Sequence, residues 1–417
     1  MTVYNGKLAR KAWMVADETV RVMQALMATG VEARFVGGCV RNALVNRDVL
    51  DIDIATPLLP EAVIEHLQAA DIKYVPTGLS HGTVTAIVDG KTFEITTLRV
   101  DVDTDGRHAE VAFTNSWEED AARRDFTINA MSANLEGDVF DPFTGIEDLR
   151  KGRVIFVGYP EQRIEEDVLR ILRFFRFFAH FGQGRPDAAA LVACAKLSTR
   201  LPRLSPERIR TEALKILESD RCALTWEVME NTGVVANFLP EATGISALKK
   251  LLALEQDHHS HAFVLRRLAA LLEVDGAESL MKVTRALRLS NDQARALMTL
   301  VRPADAVSTH MTDAAMRQLV YRHGNDMARS LLLLAAAKAG EEGEGNLDAL
   351  YDLATAFRPP RFPLQGDDVL GLGIQAGPEV GRILSEMESW WLAEDFRPGR
   401  TEALAKLRAR AGDALQA

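Results

Sequence analysis

The sequence predicts an α+β protein: a small mixed sheet with helices at the N-terminus, followed by an all-α remainder. Three observations carry this. Short β-type runs recur between residues 33 and 98, a glycine turn and an acidic pair sit on two of them, and strand signals fade after about residue 155.

Residues 7–29 read as an amphipathic helix, with Leu8, Trp13, Val20, Met23, Leu26 and Met27 along one broad face. The run Ala33-Arg34-Phe35-Val36 is a buried strand ending at Gly37-Gly38, where bare backbone can approach a ligand closely. The helix that follows carries Arg41 and Arg47 and offers its N–H groups to phosphate. Next comes Asp51-Ile52-Asp53-Ile54. Side chains alternate along a strand, so Asp51 and Asp53 share a face, and a divalent cation is the simplest relief for their repulsion. Further strands are expected at 72–75, 82–88 and 92–98, with a hairpin turn at Asp89-Gly90. The polar stretch 101–110 reads as a mobile loop. Beyond it helix follows helix, with soft boundaries near Gly182–Pro186, Asn231–Gly233, Arg302-Pro303 and Arg358–Pro360.

Composition narrows the class. At 417 residues, 47% of them apolar, the chain is long enough for two to four packed domains. Three distant cysteines (Cys39, Cys194, Cys222) fit a reducing cytoplasm without structural disulfides. The charged N-terminal helix is no signal peptide, and the longest apolar run, Leu331 to Ala337, is too short to span a bilayer. A formal charge of −10 argues against indiscriminate nucleic-acid binding. Arginines nevertheless bunch at 170, 173, 176, 185, 200, 203, 208 and 210, a stripe that suits a folded RNA.

Two more clusters carry chemistry. Arg123-Arg124-Asp125-Phe126-Thr127-Ile128-Asn129 places paired guanidiniums where they can grip a triphosphate or ribose, although such a run is also a common surface ion pair. In Glu165-Glu166-Asp167-Val168-Leu169-Arg170-Ile171-Leu172-Arg173, helical spacing makes Asp167 and Arg170 neighbours on one face. An Asp beside an Arg presents an acceptor and a donor. Cytosine and adenine match that edge with an exocyclic amine and a ring nitrogen, whereas guanine and uracil oppose it.

In order along the chain, Gly37-Gly38, Asp51-x-Asp53, Arg-Arg-Asp-Phe-Thr-Ile-Asn, Asp141-Pro142-Phe143-Thr144-Gly145, the Glu-Asp-x-x-Arg-x-x-Arg run and Leu204–Arg210 resemble the class II tRNA nucleotidyltransferase (CCA-adding enzyme) and bacterial poly(A) polymerase family, within the DNA polymerase β superfamily. Gly366-Asp367-Asp368 and Gly377–Gly381 resemble a tail segment of these enzymes. The resemblance implies a polymerase-β-like catalytic head at 1–155, a helical neck reading the base at 156–232, and a helical body and tail binding tRNA at 233–417. It implies Mg²⁺ on Asp51 and Asp53, and triphosphate on Gly37, Gly38 and Arg41. Arg123, Arg124, Asp125 and Asn129 would seat the nucleotide, Asp167 and Arg170 would read its base, and Glu166 and Arg173 would brace that pair. Glu94 is the candidate third carboxylate near the attacking hydroxyl. The implied reaction adds C, C and A to a tRNA 3′ end from CTP and ATP, releasing pyrophosphate. Two residues depart from the pattern: Asn42 stands where Asp is usual, and Val168 where Pro is usual.

Within the family, a poly(A) polymerase is disfavoured because Gly78–Thr83 lacks the basic Gly-Arg-Arg/Lys-Phe stretch and the chain is acidic. Asp105-Gly106-Arg107-His108 resembles the loop element of final A addition and disfavours a CC-only enzyme; an A-only enzyme is the remaining variant. A non-catalytic RNA-binding protein would need a broken acidic pair, and the pair is intact. The cluster His258-His259-Ser260-His261 lacks the distal partners of a metal-dependent phosphohydrolase and reads as structural. The turn at Gly371-Leu372-Gly373 is equally a plain turn or a backbone contact to RNA.

Overall fold

The computed structural model describes residues 4–104, 109–339 and 345–416. The chain divides into two compact units, Met1–Thr243 with Val283–Arg288, and Gly244–Lys282 with Leu289–Ala417.

The first unit opens with the sheet. Its described strands are β1 (Tyr4–Lys7), β2 (Arg34–Val36), β3 (Ile52–Thr56), β4 (Lys73–Gly78), β5 (Thr83–Val88), β6 (Lys91–Thr97), β7 (Arg99–Thr104), β8 (Ala109–Phe113), β9 (Ser132–Ala133) and β10 (Asp138–Phe140). Eight of them form one mixed sheet in the order β1-β10-β9-β2-β3-β6-β5-β4, while β7 and β8 pair separately. Only β3 and β6 run parallel among these pairs. Alternation decides which face is inside: Val84, Ala86, Phe93 and Ile95 are buried, with exposed or half-buried residues between them. Helices α1 (Ala12–Val15), α2 (Asp17–Leu26), α3 (Gly38–Leu44), α4 (Pro60–Ala69), α5 (Trp117–Ala122) and α6 (Gly145–Arg150) surround the sheet. Met23, Leu26, Val63 and Leu67 supply the apolar stripes of α2 and α4, which pack on each other and on β5.

The same unit continues into α7 (Pro160–Glu166), α8 (Arg170–Phe181), α9 (Ala188–Leu197), α10 (Pro206–Leu217) and α11 (Cys222–Asn231). An aromatic cluster joins these helices to the sheet region. Phe126 lies 4.7 Å from Phe156 and 5.3 Å from Phe177 between ring centroids, and Phe156 stacks on Phe174 at 5.9 Å.

The second unit is helical among its described residues. At its centre Glu255, Arg266 and Arg267 form a buried ionic trio, with Nε–O distances of 2.9 and 2.8 Å. Its last helices gather around Val369, Ile383, Met387 and Leu407. Among the described residues no helix is long and apolar enough to cross a membrane.

Three expectations are corrected. The single helix over 7–29 is a strand, β1, followed by two helices separated at Ala16, whose ψ of 140° is extended. The Thr19 hydroxyl donates to Trp13 O across that break at 2.7 Å. The loop expected at 101–110 carries the ends of β7 and β8, whose pairing with each other satisfies the backbone without an apolar pattern. Asp105–His108 lie outside the described residues. Finally, the base-reading segment is two helices. Asp167 is extended (φ −149°, ψ 106°) and the helix restarts at Arg170. The hairpin at Asp89-Gly90 forms as expected, both residues having positive φ.

Candidate active site

One cleft of about 800 Å³ runs along the first unit. Gly37, Gly38, Arg41, Asp53, Arg123, Arg124, Asp125, Asn129, Asp167, Arg170 and Arg173 line it, so eleven expected site residues converge. Asp51, Glu94 and Glu166 do not line it; they sit directly behind or beside residues that do.

At one end is the acidic pair. Asp51 immediately precedes β3 and is exposed, while Asp53, within β3, is half-buried. Asp53 stands in parallel register with Glu94 of β6. Burial pushes the Asp53 carboxyl up to about 6; Glu94 adds to the rise, Arg124 opposes it, and Asp51 contributes further. Hard oxygen donors crowded at cost to one another suit a hard divalent cation. Among the described residues, however, no three acidic, histidine or cysteine groups close on one metal position, so these side chains alone do not complete a cation's shell.

The glycine turn lies next to this pair. Gly37 has φ +70°, which favours glycine, and a Cβ there would come 3.1 Å from the Arg124 Nη1, so that guanidinium would have to give by a few tenths of an ångström. From α3, Arg41 donates to the Asn129 Oδ1 at 2.5 Å. The Asn129 amide donates to Asp125 Oδ1 at 2.9 Å, and Arg173 Nε donates to Asp125 Oδ2 at 2.7 Å. Burial would raise the Asp125 carboxyl, but Arg173 and Asn129 overcome that and hold it below its ordinary value. Burial, with Arg176 nearby, brings Arg41 down to about 10. Aromatic faces separate these like charges: Arg41 and Arg47 lie over Phe181 at 4.4 and 4.5 Å, and Arg176 over Phe177 at 4.5 Å.

At the other end Asp167 and Arg170 face the cleft without bonding each other's side chain. Asp167 Oδ2 accepts from Arg208 Nη2 at 2.7 Å and its Oδ1 from the Leu169 N–H at 3.1 Å. Arg170 donates to Glu166 and, at 2.8 Å, to the Arg163 carbonyl. Arg163 in turn bonds Glu166 and the Arg123 and Arg124 carbonyls. Nine basic side chains line the cleft against four acidic ones, a lining suited to an anion.

The chain is 33% identical to the mitochondrial CCA tRNA nucleotidyltransferase 1 of Danio rerio over 94% of its own length and 91% of that protein. It belongs to the CCA tRNA nucleotidyltransferase family. The CCA-adding enzyme of Streptococcus gordonii is likewise 33% identical, over 93% of this chain and 96% of that one. The poly A polymerase head domain family matches residues 33–155, and the family described as a probable RNA and SrmB-binding site of polymerase A matches 186–245. The Bacillus stearothermophilus CCA-adding enzyme, solved in complex with CTP, superposes with a TM-score of 0.74 at 28% identity, covering 96% of this chain and 98% of that one. The fold and the nucleotidyltransferase class expected from the sequence are therefore those of this family.

Sequence reasoning left Arg163 and Asp120 without roles, and placed Arg208 in the arginine stripe and the Leu204–Arg210 motif without assigning it a partner; that partner, Asp167, lies 41 residues away. The histidine cluster lies in the second unit, where His258 packs on Tyr351 at 4.4 Å.

Proposed function

We propose that this chain adds C, C and A to the 3′ end of tRNA from CTP and ATP, releasing pyrophosphate. The observation that carries the reading is one cleft lined by Asp53, by the Arg41, Arg123 and Arg124 guanidiniums and by the Asp167–Arg170 edge. In this reading residues 1–155 are the catalytic head, 156–232 the base-reading neck, and 233–417 the body and tail that hold tRNA.

Asp51 and Asp53 would hold Mg²⁺, which when bound offsets charge on the transferring phosphate and the departing pyrophosphate. The Gly37-Gly38 turn admits the triphosphate against bare backbone. Arg41, Arg123 and Arg124 neutralise its oxygens. Asp125 and Asn129 fix Arg41 and Arg173 so that neither guanidinium reorganises as the RNA 3′-hydroxyl attacks the α-phosphate in line. Glu94, beside Asp53, is placed to orient that hydroxyl. Asp167 accepts the exocyclic amine of C or A while Arg170 donates to the adjacent ring nitrogen. G and U would leave both groups facing the wrong polarity, which supplies discrimination without a nucleic-acid template. The setting proposed with this chemistry is the cytoplasm, where three distant cysteines would stay reduced, although three of the similar proteins carry mitochondrial names.

A product-length assay on tRNA lacking its 3′ end tests the proposal. CTP alone should add two residues and CTP with ATP should add three. A long A tail would point to poly(A) polymerase, and a stop at two would point to a CC-only enzyme.

A further inference from the structure

Asp120 lies outside every expected site residue, yet it is 3% exposed and carries two arginines of the cleft at once. From α5 its Oδ1 accepts from Arg123 Nε at 2.9 Å and its Oδ2 from Arg124 Nη2 at 3.0 Å. Burial would raise its carboxyl, but Arg124 and Arg123 outweigh that and hold it below its usual value. A charge this deeply buried is costly unless it is fully paired, and here the partners are two guanidiniums that line the cleft. Arg124 also sits against the glycine turn and acts electrostatically on Asp53.

We infer that Asp120 is a positioning residue for the incoming nucleotide: one carboxylate sets both Arg123 and Arg124 at the spacing a triphosphate requires. It acts through them and touches no substrate. Two long side chains held by one buried anion lose their rotamer freedom before the nucleotide arrives, so binding does not have to order them. The inference rests on the reading that these arginines seat the triphosphate. A feature of the fold makes it testable. Asp120 and Arg124 also line a separate cavity of about 260 Å³, open between Trp117, Ser132 and Phe140, so a small carboxylate can reach the position Asp120 would vacate.

The experiment compares Asp120→Asn, Asp120→Ala and Arg124→Ala with the unaltered enzyme, using tRNA lacking its CCA end. Thermal unfolding first establishes that each variant is folded. Asp120→Asn keeps the volume and one acceptor, so it remains informative if Asp120→Ala does not fold. Loss of the shared charge should raise KM for both CTP and ATP by about tenfold. KM for tRNA should stay within about twofold, a split that general loosening of the fold would not give. Formate, but not chloride at equal ionic strength, should restore nucleotide KM in Asp120→Ala. Unchanged nucleotide KM in Asp120→Asn, a parallel rise in tRNA KM, or no response to formate overturns the inference. If Arg124→Ala itself leaves nucleotide KM unchanged, the underlying placement of the triphosphate fails instead.

Discussion

Asp53 and Glu94 stand side by side in register on adjacent parallel strands, β3 and β6. Burial, with Glu94 and Asp51 adding to it against the opposing Arg124, brings the Asp53 carboxyl up to about 6. The site thus gathers negative charge that the folded chain alone does not relieve.

Removing that charge should abolish chemistry before it abolishes binding. Asp51→Ala and Asp53→Ala are expected to lower kcat by about 1,000-fold or more, since a lost metal-holding group removes several kcal/mol of transition-state stabilisation. tRNA affinity by filter binding should change little. Retained turnover in either variant would remove these aspartates from the reaction.

Base selection should depend on a residue that never meets the base. Arg208 anchors Asp167 at 2.7 Å. Arg208→Ala is expected to free that carboxylate and cut the preference for CTP over UTP by about tenfold, the scale of one charge-assisted hydrogen bond. Competition between the two nucleotides in single-turnover assays reads this directly.

The turn at Gly37 favours glycine by its positive φ and would crowd a Cβ against Arg124. Gly37→Ala forces a Cβ into a left-handed conformation and toward Arg124. About 1–2 kcal/mol of stability should be lost, together with a rise in nucleotide KM. Urea unfolding and steady-state kinetics separate the two effects.

Acid should undo the network at Asp125. Its folded value is depressed, so the unfolded chain binds the proton more readily in acid, and stability falls with pH. The stabilisation is present above the ordinary carboxylate value and is lost as pH drops through the lower, folded one. Unfolding free energy of the native protein should therefore exceed that of Asp125→Asn most near neutrality, with the gap closing below about pH 4. A constant gap across that range would contradict the assigned shift.

In the second unit, Glu255 holds two buried arginines. Glu255→Ala should destabilise the protein by about 3–5 kcal/mol, because both cations lose their buried counter-charge. Chemical denaturation measures it; a loss under 1 kcal/mol would show the trio to be dispensable.

The sequence disclosed what is local. The glycine turn and the Asp89-Gly90 hairpin each depend on a few adjacent residues and form where their patterns put them, while of the two aspartates Asp53 lies on β3 and Asp51 just before it. What stayed hidden depends on distant partners. Strand β1 exists because Tyr4–Lys7 pair with β10, and nothing within four residues announces that. The roles of Arg208 and Asp120 come from side chains brought together by folding. Val168 is a different case. A continuous helical pattern runs through it, yet the helix breaks at the preceding Asp167, whose carboxylate is held by Arg208 from a distant helix.

That break has an evolutionary consequence. In the proposed reading the polar edge offered to a nucleobase is assembled from the end of one helix, the start of the next, and an anchor contributed by a third. A single substitution such as Arg208→Ala would loosen that edge, whereas turning acceptor and donor together toward guanine or uracil would take changes in more than one of these segments.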